Sequence, residues 1–303
     1  MHPERLAPGV DGRVEGGLDG ITDAGPVTLR AGRSLRAGRL PISARLGLAL
    51  VLALCLVALA APIIAPQDPA AQDIAGRLLG PRAANPLGTD HLGRDILSRL
   101  IWGARLAMGL AIPGVLGALL LGSLAGIAAA YGPAWLRRPI LVGIDGLQAL
   151  PPILLALMVL ALTGPSLLVL VAVVALALTP GYARVMRVQV QGLLQAPFVE
   201  AARSLGAGRL RIALRHILPN ALYPLLVLAA MDLPGAVTLE AGLSFLGLGV
   251  QPPTPSWGTM LAEGFSRLRE SPWPLIGPAG ALMLATLGFT LLGEGLAEKS
   301  KGR

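Results

Sequence analysis

The sequence predicts an all-α polytopic membrane protein with six transmembrane helices. Three observations carry that expectation. Of the 303 residues, 54% are hydrophobic and only 14% charged, whereas soluble domains carry about a quarter charged residues. Apolar runs of about 20 residues, the length that crosses the hydrocarbon core, recur along the chain. Lys and Arg concentrate in alternate connections between those runs, as expected for a spanning bundle with a positive inner side.

Residues 1–45 hold Gly, Pro and arginines without apolar periodicity, and are expected to form a disordered basic tail with a weak attraction to anionic lipid. They do not resemble a signal peptide, because apolar sequence begins only near Leu46. Residues 46–66 form the first expected span and 67–103 an outer, periplasmic loop. The core expected over 104–296 opens with a second span at 104–131. A third, at 140–163, is interrupted by Asp145 and Pro151-Pro152. Gly164-Pro165, a turn signal, sets off a fourth at 166–182. Spans at 221–243 and 275–296 complete the six, and 297–303 is a short tail. Pro113, Pro180 and Pro234 fall within or near spans, where neighbouring helices can satisfy the freed carbonyls.

Orientation follows from charge. The N-terminal tail, Arg137-Arg138, the 183–219 segment and the C-terminal Lys299, Lys301 and Arg303 all fall on one side of a six-span arrangement. The opposite side has Arg77, Arg82, Arg94, Arg99, Arg267 and Arg269, balanced by Asp68, Asp73, Asp90, Asp95, Glu263 and Glu270. Both termini and the 183–219 segment are therefore expected in the cytoplasm. Trp102, Trp135, Trp257 and Trp273 land near span ends, where indole favours the headgroup layer.

Several function classes find no support. The net charge of +8 lies between apolar runs and not on an exposed basic face, so no nucleic-acid partner is expected. Cys55 is the only cysteine, so no disulfide can form within the chain. His2, His91 and His216 are far apart in sequence, and no zinc-type ligand cluster is expected. Both lysines lie in the last five residues, so no Walker A loop exists to bind ATP. A membrane-embedded serine hydrolase would need a G-x-S-x-G elbow, which the sequence lacks.

The 183–219 segment carries the most chemistry. Pro197 suits a first helical turn, and Glu200 lies where the helix dipole favours a carboxylate. A short helix is expected over 198–205, with Ala201 and Ala202 keeping one face small. Gly206 and Gly208 break it. Helical spacing resumes over 209–217, with Leu210, Leu214 and Ile217 on one face and Arg211 and Arg215 on the other. Taken alone, this composition also fits a basic amphipathic helix on the inner leaflet.

Glu200-Ala201-Ala202, Leu205-Gly206 and Ile217-Leu218-Pro219 fall at the spacing of the EAA loop. The chain thus resembles the type I permeases of ATP-binding-cassette importers (MetI-like fold), and within them the C-type subunit of dipeptide, oligopeptide and nickel systems. Further strings carry the likeness: residues 85–90 with 92–99, residues 180–184, residues 215–220, and residues 240–253 with 255–258. The chain departs from the pattern in having His216 where many members have Ile, and in its short basic C-terminal tail.

The resemblance implies a coupling role for Glu200, Ala201, Ala202, Leu205, Gly206, Ile217, Leu218 and Pro219. It implies a second, B-type permease, two cytoplasmic ATPases that bind ATP and Mg, and an extracytoplasmic solute-binding protein, with no cofactor on this chain itself. The loops at 90–98 and 243–258 are expected to offer that binding protein a docking surface. Ionisable groups inside spans suggest function by default: Asp145, Asp232 and Glu240 qualify. Asp232 is the most central, and either faces the path or partner permease or bonds to a neighbouring helix. The competing reading is a secondary transporter or channel without a motor, which calls for discontinuous helices and midplane polar groups.

Overall fold

The computed structural model describes residues 41–301, so nearly all of the expected basic tail, and residues 302–303, lie outside them. Among the described residues the regular elements are helical: α1 (Ile42–Ile64), α2 (Ile96–Tyr131), α3 (Ala134–Ala149), α4 (Pro152–Thr163), α5 (Leu167–Leu193), α6 (Pro197–Ser204), α7 (Arg209–Ile212), α8 (Leu218–Phe245), α9 (Trp257–Ser266) and α10 (Trp273–Lys301). Five helical stretches are long and apolar enough to cross a membrane, with α7 to α8 counted as one. A sixth span results if α3 and α4 are taken together, but these meet at 94°. The break has a local cause. Neither Pro151 nor Pro152 has an N–H to continue the α3 ladder, and Pro152 instead starts α4.

Helix ends differ from hydropathy where capping or packing decides. The helix that holds the second expected span begins at Ile96, ahead of residue 104, because Asp95 accepts the Ser98 N–H at 2.8 Å and caps α2. With 36 residues, α2 is about 54 Å long at 1.5 Å per residue. It therefore outruns the ~30 Å hydrocarbon layer. The helix that holds the fourth expected span continues past Tyr182 to Leu193, so the segment from 183 starts as the last turns of α5.

Small residues set the bundle's spacing. Gly114, Ala118, Gly122, Gly126 and Ala130 recur every fourth residue on α2, one stripe facing α5. An added Cβ at Gly126 would stand 2.6 Å from the Ala183 carbonyl oxygen, and one at Gly122 would stand 2.8 Å from that of Thr179. Close backbone approach of this kind drives helix association where lipid supplies no hydrophobic contrast. On the opposite side, Gly47 of α1 packs on Leu291–Leu292 of α10 and Gly295 packs on Ala44.

The two ends of the bundle are built differently. Where α2 begins, the 65–95 segment and α9 fold over the helices, and the Trp257 indole donates to the Leu100 carbonyl at 3.0 Å. Where α2 ends, α6 lies between α5 and α7, beside residues 130–132.

Candidate functional site

Helix α6 is eight residues long, with Pro197 in its first turn, Glu200 near its positive end and Arg203 in its last turn. Both charges complement the dipole. Its stop is fully formed. Gly206 has φ +79°, its N–H donates to the Arg203 carbonyl at 2.9 Å, and the Ala207 N–H donates to Ala202 at 3.0 Å. This pair of bonds is the Schellman arrangement that glycine favours.

The face of α6 is divided. Val199 and Ala202 point inward, and the Phe198 ring lies 6.4 Å from the His216 ring, tying α6 to the next helix. Glu200, Ala201 and Gly206 are exposed, and Leu205 is 89% exposed. A leucine so bare at a helix end, next to a carboxylate and an alanine, presents a small mixed surface. The two alanines expected to share one small face therefore split, Ala201 outward and Ala202 inward.

The segment after Gly208 corrects the helical phase read from sequence. The buried positions are Ile212, Ala213 and Ile217, while Leu210 and Leu214 are exposed alongside Arg211 and Arg215. The reason is a π-helical turn at Ala213–Ile217, where the Leu218 N–H reaches the Ala213 carbonyl. Pro219 has no N–H and its ring crowds the preceding turn. The wider turn absorbs both effects and shifts the 3.6-residue pattern. Helix continues through Leu218 and Pro219 into α8, so residues 209–245 form one stretch of 37 residues.

Asp232 lies within α8, partly buried, with the buried Tyr182 hydroxyl of α5 beside it. Asp145 is instead exposed on α3 and pairs with Arg184 of α5 at 3.0 Å. Glu240 is 1% exposed and accepts from Ser244 at 2.7 Å and Ser256 at 2.9 Å. Ser256 also caps α9, so Glu240 fastens the loop between α8 and α9 to α8.

The 85–99 string turns its charges inward. Asp90 is 3% exposed and binds the guanidinium groups of Arg94 (2.6 Å) and Arg99, while Glu263 of α9 receives Arg94 at 3.0 Å and Arg99 at 2.8 Å. Burial raises the Asp90 carboxyl, but attraction to Arg99 and Arg94, with the Leu92 N–H bond, outweighs it and holds Asp90 below the ordinary carboxylate range. Asn85 donates to Asp95 at 3.0 Å, and the Thr89 hydroxyl donates to the Gly76 carbonyl at 2.6 Å. The charged side chains of the 90–98 loop thus brace it from within.

His91 joins this cluster, and Asp90, His91 and Glu263 place ligand-type atoms within 4.8 Å of one another. Two guanidinium groups already hold the carboxylates, so the cluster does not fit a divalent cation. Sequence reasoning missed it because Glu263 is remote in the chain.

Residues 118–300, more than half of the chain, match the family described as the binding-protein-dependent transport system inner membrane component. Residues 43–81 match the N-terminal transmembrane domain of oligopeptide transport permease C. The di/tripeptide transport system permease protein DppC of Pseudomonas aeruginosa is 40% identical over 258 residues, covering 83% of this chain and 85% of that protein. The dipeptide permease DppC of Alkalihalophilus pseudofirmus is 36% identical over 252 residues, with 83% of each covered. The glutathione permease GsiD of Pectobacterium atrosepticum is 39% identical over 201 residues, covering 66% of this chain and 67% of its own. Among solved structures, the MetNI methionine ABC transporter has a TM-score of 0.56 at 17% identity, covering 67% of this chain and 97% of the other. That likeness concerns the fold. The motor-independent transporter finds no support beside these relatives. The long helices and the matched residues make this chain a member of the binding-protein-dependent transport family, a multi-pass inner-membrane permease subunit of an ABC importer and not an enzyme.

Proposed function

We propose that the chain forms half of the translocation path for di- or oligopeptides, or a related small solute such as a nickel chelate. A second, B-type permease supplies the other half. Two cytoplasmic ATPases that bind ATP and Mg dock on α6 through Glu200, Ala201, Leu205 and Gly206, and an extracytoplasmic binding protein delivers the solute. Both termini and α6 then lie in the cytoplasm. The observation that carries this reading is α6 itself: short, stopped by Gly206, clamped inward by Val199 and Ala202, bare on the outside. Ile217, Leu218 and Pro219 carry its connection without a break into α8. A push on such a rigid element reaches α5 and α8 together, which is a rigid-body route for switching access. Asp232 and Tyr182, one on each of those helices, would hold them in register.

The support for peptides lies in the relatives, which are named for dipeptide, di/tripeptide and glutathione transport. The test is uptake of a labelled dipeptide into proteoliposomes that hold this chain with its cognate permease, ATPases and binding protein. ATP-dependent accumulation is expected. Accumulation without ATP, or none with any peptide or nickel chelate while the binding protein captures another solute class, overturns the reading.

A further inference from the structure

The segment that leads into α8 fits two helical registers, and the structure holds one of them. On an unbroken α-helix Leu210, Leu214 and Ile217 share a face, whereas Ile212, five residues before Ile217, stands about 140° away from it. The π turn at Ala213–Ile217 makes the opposite choice. Ile212 and Ala213 are buried with Ile217, while Leu210 is 72% and Leu214 56% exposed. Either register buries a coherent apolar set, and the two differ by the one extra residue that the π turn accommodates.

The balance between them is set by the same few residues. Pro219 favours the π register, because on an α-helix its ring meets the Arg215 carbonyl and offers it no N–H. The two leucines left in the open favour the α register, which buries both of them at the expense of Ile212 alone. One proline thus opposes the net burial of one large apolar side chain.

The turn also has slack on one side and a grip on the other. Nothing among the described residues lies within 4 Å of a Cβ built at Gly208, which leaves the start of the helix free to rotate. His216, inside the turn, is held from two directions. The Phe198 ring of α6 stands 6.4 Å from its ring, and its carbonyl accepts the Asn220 side-chain amide of α8 at 2.6 Å. A displacement of α6 therefore reaches the turn itself.

We propose that residues 209–217 are a register switch. Displacement of α6 converts the π turn to α-helix, turns Ile212 outward and Leu210 and Leu214 inward, and rotates the start of the helix by about 100°. The two registers rest on the geometry of this chain; their alternation during ATP turnover rests on the role given to α6 above.

The test uses the complete transporter in nanodiscs, with Cys55 replaced by Ala and single cysteines at Leu210, Ile212 or Leu214. Each is challenged with a hydrophilic maleimide in the nucleotide-free and the vanadate-trapped complex. In one state Leu210 and Leu214 should label fast and Ile212 slowly; in the other the order should invert. The Ile212-to-Leu210 rate ratio should change by about tenfold or more, as a shift in a two-state population requires. Pro219→Ala, which removes the obstacle to the α register, should give the inverted order in both states. Protection of Ile212 in both states and in Pro219→Ala overturns the proposal. So does protection of Leu210 and Leu214 without exposure of Ile212, which makes the leucines ATPase contacts on a helix of fixed register. Inversion in Pro219→Ala with no response to nucleotide overturns the switch as well and leaves two static registers. Absence of any ATPase from the purified wild-type complex is seen before labelling and counts instead against the function proposed above.

Discussion

Replacing Gly206 with Val isolates the backbone contribution to coupling. Nothing lies within 4 Å of a Cβ built at Gly206, so no steric clash with a neighbour confuses the result. The whole cost comes from φ +79°, a left-handed conformation that costs a residue with a Cβ about 1–2 kcal/mol and suits β-branched residues least. The two bonds that stop α6, Gly206 to Arg203 and Ala207 to Ala202, depend on that conformation. A penalty of 1–2 kcal/mol lowers the ratio of the native turn to its alternatives about 5- to 30-fold. The variant should enter the membrane normally, because its site lies outside the long apolar helices. Binding-protein-stimulated ATPase activity of the purified complex should drop, by at most that factor. Gly206→Asn should fall between, since Asn tolerates the left-handed region. Gly208→Ser, at φ −66° and a helix N-cap, should behave as wild type. Wild-type stimulation in Gly206→Val, or an equal loss in Gly208→Ser, refutes the reasoning.

Asp90→Asn leaves Arg94 and Arg99 buried with only Glu263 to face them, and breaking such a pair costs about 3–5 kcal/mol; limited proteolysis of the 65–95 segment should accelerate sharply. The same contact has a pH signature: because the folded Asp90 carboxyl is depressed, its stabilisation is complete above the ordinary Asp range and fades as pH falls through its lowered value. Proteolytic protection of wild type should therefore weaken only in acid and be independent of pH across the neutral range. Gly122→Leu drives a side chain into Thr179 and Tyr182 and should separate α2 from α5, read as loss of the assembled complex in mild detergent. Glu240→Gln keeps an acceptor for Ser244 and Ser256 and should be tolerated, whereas Glu240→Ala orphans both hydroxyls at about 1–3 kcal/mol each, visible as a lower thermal midpoint of the purified complex.

Sequence showed the long helices and α6 because both are written in local chemistry: apolar length for the first, Pro197, Glu200 and Gly206 for the second. Ends were less legible. The Asp95 cap starts α2 early and the α2–α5 stripe carries α5 onward to Leu193, and neither is a matter of hydropathy. The phase of 209–217 was misread because a π turn before Pro219 breaks the period on which amphipathicity rests. The inward turn of Asp90, Arg94 and Arg99 depends on Glu263, and that of Glu240 on Ser256. Such partners are joined by the fold and not by spacing.

Cysteine crosslinking along α6 tests the central claim most directly, and Cys55, the only native cysteine, is easily removed first. Single cysteines at Ala201, Ala202 and Leu205 should be probed in intact cells with a short bifunctional reagent. Exposed Ala201 and Leu205 should capture an ATPase subunit, and Ala202, 9% exposed, should capture little or none. Capture at none of the three, or equally at all three, contradicts a docking helix held in this orientation.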